Sequence, residues 1–240
     1  MTDPSLTAEG VTRRFGDVTA LSDVTAEVPA DAITALVGPN GSGKTTLLRL
    51  LVGLDSPTSG TIAYEGPSAT RRIGYLPQRP TFRPGFTARE TLAFYADLVD
   101  DDPDRLLERV GLGAVADRRV EALSGGMTRL LGIGQALTGD PPVVALDEPA
   151  SGLDPEMSRH VFDVVDSIAA DGRAVVLCSH ELPLVEATAD RVVVLDQGAV
   201  VATDTPTALR ERTGGPLHET FAALLDRDAE PVRAQVEGGE

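Results

Sequence analysis

Residues 38–45 read Gly38-Pro39-Asn40-Gly41-Ser42-Gly43-Lys44-Thr45, which matches the phosphate-loop pattern G-x-x-x-x-G-K-[ST]. The stretch directly follows the apolar run Ala32–Val37 and directly precedes the helical pattern Thr46–Val52. In such a loop the glycines let backbone N–H groups face phosphate oxygens, and the start of the following helix adds positive potential. We therefore predict that Lys44 reaches the β- and γ-phosphates of a nucleotide and that the Thr45 hydroxyl binds Mg²⁺.

Short runs of β-forming residues alternate with longer helical patterns, which is typical of a parallel sheet covered by helices. The predicted strands are Ala32–Val37, Arg72–Leu76, Val143–Leu146, Arg173–Cys178 and Arg191–Leu195. Two runs, Val192–Leu195 and Ala199–Ala202, flank Asp196-Gln197-Gly198, which predicts a hairpin and hence a mixed sheet. The predicted fold class is α/β.

Between Pro80 and Pro141 the pattern changes to helices alone. Thr87-Ala88-Arg89-Glu90 is a capping box that opens a predicted helix over Thr91–Val99. Two further helices are predicted, over Pro103–Val110 and from near Ser124. We expect one domain over residues 6–225, with a helical subdomain at about 80–140 inserted in the α/β core, and a polar, disordered tail over 226–240.

Composition narrows the possible partners and the compartment. The chain has 37 Asp+Glu against 21 Lys+Arg, and this acidic excess would repel a phosphate backbone, so no nucleic acid is expected as a partner. Such a surface also predicts adaptation to high cytoplasmic salt. The single cysteine, Cys178, excludes an intramolecular disulfide and fits a reducing cytosol. No apolar run approaches the roughly 20 residues that cross a bilayer, so any membrane role is expected through a partner.

Two carboxylates end the apolar strand Val143-Val144-Ala145-Leu146-Asp147-Glu148. An acidic pair in this position is most often a solvated strand end, but ligands bind at the carboxyl edge of parallel sheets, where the phosphate loop also lies. We therefore predict that Asp147 holds the Mg²⁺ shell and that Glu148 is the general base that activates the attacking water.

A second phosphate-facing helix end is predicted by the pattern Leu123-Ser124-Gly125-Gly126-Met127, which precedes the helical run Thr128–Leu137. Ser124 can cap this helix and leave bare N–H groups behind it, although many helices begin with Ser-Gly-Gly. A chain that binds one triphosphate needs only one phosphate-binding helix N-terminus, and the helix after the phosphate loop already supplies it. The sequence thus suggests that this end closes on a nucleotide held by another domain of the same kind.

In their order, these motifs resemble those of the ATP-binding cassette (ABC) ATPases, from about Leu6 to about Leu225. The resemblance implies a P-loop NTPase core with an inserted helical signature subdomain, and ATP and Mg²⁺ as ligands. The motifs that carry it are the loop 38–45, Gln78 in Tyr75-Leu76-Pro77-Gln78, the signature 123–127, the Walker B strand 143–148, the loop Ser151-Gly152-Leu153-Asp154 and His180.

The resemblance also implies roles for single residues. Gln78 is expected to touch Mg²⁺ or the lytic water, and His180 to bind the γ-phosphate and hold Glu148. Phe15, in Arg13-Arg14-Phe15-Gly16, takes the place of the aromatic that stacks on adenine. Without the resemblance, these three would be a surface glutamine, a structural histidine and a core phenylalanine. The expected nucleotide-binding set is Phe15, Gly38 to Thr46, and Ser124, Gly125 and Gly126; the catalytic set is Glu148, His180 and Gln78; the metal set is Thr45, Gln78 and Asp147.

Two positions depart from the family pattern. Met127 replaces the usual glutamine that ends the signature, and Leu130 stands where an arginine is common, so some polar support of the signature helix is expected to be missing. Together with Gly74-Tyr75-Leu76-Pro77-Gln78 and Phe94-Tyr95-Ala96, the Met-ending signature is similar to ATPases that serve ABC-2-type export permeases, including the NosF-type subunits of nitrous oxide reductase maturation.

The function implied is an ATPase subunit on the cytoplasmic face of the cell membrane, which powers a separate integral-membrane permease by closing with a second cassette. One alternative is a soluble ABC protein of DNA repair, chromosome organisation or translation. Proteins of DNA repair and chromosome organisation would need a long coiled-coil insertion between the motifs, and those of translation typically have two cassettes in one chain. Another alternative is a regulatory cassette that binds nucleotide without turnover.

Overall fold

The computed structural model describes residues 4–212 and 214–227. Its strands are β1 Pro4–Phe15, β2 Val18–Pro29, β3 Ile33–Val37, β4 Ser59–Tyr64, β5 Ile73–Leu76, β6 Val143–Asp147, β7 Ala174–Cys178, β8 Arg191–Asp196 and β9 Ala199–Asp204. Its α-helices are α1 Lys44–Leu51, α2 Ala88–Ala96, α3 Pro103–Arg109, α4 Gly125–Leu137, α5 Pro155–Ala170, α6 Leu182–Thr188, α7 Pro206–Glu211 and α8 Leu217–Arg227.

A six-stranded sheet in the order β5-β6-β7-β3-β8-β9 forms the centre of the fold. All its pairings are parallel except β8 with β9. Every residue of β3, β6 and β7 is buried, as expected of apolar strands that are covered on both faces. The predicted α/β class, the mixed sheet and its strands are confirmed, including the hairpin, whose turn residues Gln197 and Gly198 have positive φ angles of 44° and 83°.

The sheet order brings four loops to one edge. Strands β5, β6, β7 and β3 are consecutive neighbours and run parallel, so the segments that follow them all leave from the same side. These segments begin with Pro77-Gln78, Glu148, Ser179-His180 and Gly38. Residues that are up to 142 positions apart in the sequence are thereby placed side by side.

A second sheet of three antiparallel strands, in the order β2-β1-β4, is not among the predicted strands. Its buried apolar residues face the core, for example Leu6, Val11 and Leu21. Buried and exposed residues alternate along the second half of β2, and β4 is mostly exposed. Register shifts between Ala8 and Val11 and beyond interrupt the period of two in β1. Bulges of this kind make a strand hard to predict from its sequence. After each bulge the inward-facing residues switch from odd to even positions or the reverse, so apolar and polar residues no longer alternate regularly.

Between β5 and β6 the chain forms α2, α3 and α4, with short 3-10 turns at Gly113–Val115 and Val120–Ala122. The predicted capping box is confirmed: Thr87 Oγ1 accepts from the Glu90 N–H at 3.1 Å, and the Glu90 carboxylate accepts from the Thr87 N–H at 2.8 Å. The predicted helix bounds Thr91–Val99 were wrong, because a cap at Thr87 starts the helix at the next residue, Ala88. The helix predicted from near Ser124 is confirmed: it begins at Gly125, directly after its Ser124 cap.

Helix α8 is the last element of the described chain. The first two residues of the predicted tail, 226–227, end α8, and the rest of that prediction lies outside the described residues. Among residues 4–212 and 214–227, no helix combines the length and the apolar character needed to cross a bilayer.

Helix α4 packs against β5 at Gly74, where a Cβ atom would overlap the backbone carbonyl of Ala136. We expect Gly74→Ala to lower the free energy of unfolding by about 1–3 kcal/mol, because a backbone cannot move aside as a side chain can. Gly125→Ala is the matched control, since an added Cβ there meets no atom within 4 Å. Urea midpoints of the two variants test this, and equal stability would contradict the close packing.

Candidate active site

One polar cavity brings together eight residues of the predicted site. It is lined by Ala20, Asn40, Gly41, Gly43, Lys44, Thr45, Thr46, Gln78 and Glu148. The structure thus brings together the phosphate loop, the loop glutamine and the second carboxylate of the pair. Ala20 of β2 was not predicted, because the strand that carries it was missed.

The phosphate loop has the close backbone approaches that its glycines permit. A Cβ at Gly38 would overlap the carbonyl of Leu195, and Gly43 has a φ of 102°, which favours glycine. Lys44, the only lysine in the sequence, donates from Nζ to the carbonyls of Gly38 at 2.7 Å and Pro39 at 3.0 Å. Ser42 Oγ is buried and has no hydrogen-bond partner within the described part of the chain. An ammonium and an unpaired hydroxyl beside a helix N-terminus fit a polyphosphate.

Thr45 and Asp147, the two residues predicted to bind the metal most directly, lie in contact. The Thr45 hydroxyl donates to Asp147 Oδ1 at 3.0 Å. Burial is the main cause that raises the pKa of Asp147, and bonds from the Thr45 hydroxyl and the Cys178 thiol offset part of the rise. A cation beside Asp147 would favour its charged form, and hydroxyl and carboxylate oxygens are donors that suit Mg²⁺.

Glu148 and His180 form the second contact of the site. His180 Nδ1 lies 2.7 Å from Glu148 Oε2, and the other ring nitrogen lies 3.7 Å from a carboxylate oxygen of Glu181. Glu148 is buried, whereas the imidazole is half exposed. Glu148 also has a φ of 52°, an uncommon left-handed conformation for a residue with a side chain, held by its N–H bond to the Cys178 carbonyl at 3.1 Å. Such strain is typical of functional positions.

A cation missed by the sequence reading, Arg129 on α4, joins two of these loops. Its guanidinium donates to the carbonyl of Gln78 and, at 3.5 Å, to that of Ser151. Burial lowers the pKa of Arg129, and the charges of Asp147 and Glu148 oppose this. Leu130 is 2% exposed and packs in the core, so the polar support expected to be missing at 130 is supplied one residue earlier. The signal available in the sequence is that Arg129 is the one charged residue of α4.

Phe15 and Ser124, Gly125 and Gly126 are not among the residues that line the cavity. Phe15 is 49% exposed, which argues against a core role. Ser124 caps α4, with its hydroxyl accepting from the Met127 N–H at 3.2 Å. The space around Gly125 is open, since a Cβ atom added there would meet no atom within 4 Å.

Comparisons with known proteins agree on the family. The family model described as ABC transporter matches residues 21–151, more than half of the chain. The Nod factor export ATP-binding protein I of Bradyrhizobium diazoefficiens is 34% identical, over 97% of this chain and 81% of that protein. The daunorubicin resistance ATP-binding protein DrrA3 of Streptomyces coeruleorubidus is 35% identical, over 90% of this chain and 72% of that protein.

A solved structure of an ATP-binding subunit of an ABC transporter shares the fold. It aligns with a TM-score of 0.80 and 26% identity, covering 92% of this chain and 99% of that one. The family model, the two relatives and the shared fold lead to one conclusion: the chain belongs to the ABC transporter family, as one of its ATP-binding, ATP-hydrolysing subunits.

Proposed function

We propose that this ATPase works at the cytoplasmic face of a membrane, where it closes with a second cassette around Mg-ATP and drives a separate permease of the ABC-2 export type. The observation that carries the hydrolytic part is the single edge at which the phosphate loop, Asp147, Glu148 and His180 meet. The export type is supported by the relatives, two of which are named for Nod factor export and daunorubicin resistance.

The contacts suggest how the residues share the chemistry. The N–H groups of the phosphate loop and Lys44 orient the triphosphate, and Thr45, Asp147 and Gln78 would hold Mg²⁺, which neutralises phosphate charge when bound. Glu148 accepts the proton of the attacking water, since its carboxylate lines the same cavity. His180 fixes that carboxylate through the 2.7 Å contact. Its ring is half exposed, and its other nitrogen, which lies 3.7 Å from Glu181, would turn to a phosphate oxygen when a nucleotide is bound.

Pairing of two cassettes is supported by the start of α4. Its Ser124 cap and the open space at Gly125 leave N–H groups of a 13-residue helix facing outward, and its positive end favours an anion. This chain's own phosphate cavity does not include these residues, so a γ-phosphate that meets them belongs to a partner cassette. Met127 removes one side-chain donor from that contact but leaves the backbone donors and the Ser124 hydroxyl.

Coupling to a permease is supported by an aromatic groove lined by Phe82, Arg83, Phe86, Thr91, Phe94 and Tyr95. Four of the nine aromatic residues of the chain meet there, and Phe94 is 57% exposed. Exposed clusters of this kind mark sites of protein contact. The groove begins four residues after Gln78, so a helix seated in it would move with the loop that reaches the phosphate cavity.

Lys44→Ala should weaken ATP binding by about tenfold to a hundredfold, because a hydrogen bond to a charged group contributes roughly 1.5–3 kcal/mol. Equilibrium binding of a fluorescent ATP analogue measures the loss. Arg49→Ala, on the same helix but paired with Asp55 at 2.7 Å, is the matched control and should bind ATP normally. Undiminished binding by the Lys44 variant would contradict the phosphate role.

Glu148→Gln should bind ATP but hydrolyse it at least about a hundredfold more slowly, because the amide cannot accept the proton from water. Normal turnover would exclude Glu148 as the base.

The Glu148→Gln variant should also be a dimer in solution with Mg-ATP and a monomer with Mg-ADP, as its mass measured by light scattering would show. A monomer with ATP demonstrably bound would favour a different partner cassette or a regulatory role.

A tagged copy of the chain should recover a polytopic membrane protein from detergent-solubilised native membranes, and Phe94→Glu should abolish this recovery. A partner helix that binds in the aromatic groove would have to remove water from the new carboxylate, which is unfavourable. Leu54→Glu is the control, since Leu54 is a similarly exposed apolar residue outside the groove. Both variants should keep ATP binding. Equal recovery with both would move the permease contact away from this groove.

A further inference from the structure

Arg13 and Phe15 stand two residues apart on β1, and the arginine covers one face of the aromatic ring. The guanidinium carbon lies 4.5 Å from the ring centroid, within the range of a cation–π contact. The same guanidinium donates to the carbonyl of Ser56 at 2.7 Å. It is therefore held from two sides, by a backbone oxygen and by the ring.

The β1–β2 hairpin places this pair at the rim of the phosphate cavity. Ala20 of β2 lines the cavity, and its carbonyl lies against Gly43 of the phosphate loop. Phe15 pairs with Val18, which stands two residues before Ala20 on β2 and hence about 7 Å from it, toward the hairpin turn. A nucleotide whose phosphates occupy the loop would have to extend its base by this distance along the hairpin to stack on the ring.

The exposed ring of Phe15 would be a poor platform on its own. An unpacked side chain at the tip of a hairpin loses rotamer freedom when a ligand stacks on it, and that loss weakens binding. Arg13 packs against one face of the ring, while 49% of the residue stays exposed to solvent. The arginine thus fixes the ring before the ligand arrives and leaves surface open for a planar base.

We propose that Arg13 is a positioning residue for nucleobase binding, holding the Phe15 ring from one face so that the other is presented to the base. The inference rests on the proposed binding of ATP and on the base-stacking role that the family resemblance implies for Phe15. Arg13 touches the ring and not the ligand, so it contributes to the affinity for a nucleotide but not to the affinity for its phosphates alone. A guanidinium suits this task better than an ammonium, because its plane stacks on the ring while its N–H groups reach Ser56.

The test compares two ligands, ATP and inorganic tripolyphosphate, which lacks a base, by calorimetry on the full chain. Arg13→Ala should weaken ATP binding roughly twofold to fivefold and leave tripolyphosphate binding unchanged. Arg13→Lys should fall between Arg13→Ala and the unchanged chain. Arg14→Ala is the matched control: it removes the same charge from the next residue, which is exposed, and should bind both ligands as the unchanged chain does.

A double-variant cycle separates the ring from the arginine. In a Phe15→Ala background, Arg13→Ala should cause no further loss of ATP affinity, because there is no ring left to position. An equal loss for ATP and tripolyphosphate, an unchanged or tighter affinity for ATP, or an undiminished loss in the Phe15→Ala background would each overturn the inference. If Phe15→Ala alone has no effect, the base-stacking role fails as well. If the unchanged chain binds neither ligand, the proposed function fails first.

Discussion

The parallel register of β5, β6, β7 and β3 is the constraint on which the rest of the molecule depends. Backbone pairing sets Leu76 beside Leu146, Asp147 beside Cys178, and Cys178 beside Leu36, so the four strands end nearly level. The strands β3, β6 and β7 are buried along their whole length, which makes a slip of one residue costly because it would exchange the two faces. The contacts between Thr45 and Asp147 and between Glu148 and His180 follow from this register.

The same edge concentrates charge in a chain that is acidic overall, with a formal net charge of −16. Asp147 and Glu148 are buried next to each other, and two cations whose charges act on them come from separate elements: Lys44 begins α1 and Arg129 belongs to α4. Arg129 also bonds the loops of Gln78 and Ser151, so the helical segment is tied to the sheet edge through a charged contact. A shift of α4 would therefore change the electrostatics around the carboxylates as well as their geometry.

Much of this arrangement could be predicted from the sequence because its signals are local. A strand, a glycine-rich loop and a helix occur in direct succession at residues 32–52, and the caps at Thr87 and Ser124 are short patterns. The antiparallel sheet β2-β1-β4 was missed because bulges break the alternation of β1. Arg129 was missed because its role depends on how α4 lies over two distant loops, which no spacing along the chain reveals. The NosF-type resemblance and the expected salt adaptation stay predictions.

The use of arginine at every basic position except Lys44 has a consequence for the chemistry of the whole surface. Apart from the α-amino group, the chain offers acylating reagents a single primary amine, that of Lys44. This residue is 7% exposed, and its amine is bonded to two carbonyls of its own loop. Acetylation, or any other side-chain amine modification, has only this target. In this protein, modification of a lysine side chain and binding of a ligand in the phosphate loop therefore depend on the same residue, Lys44.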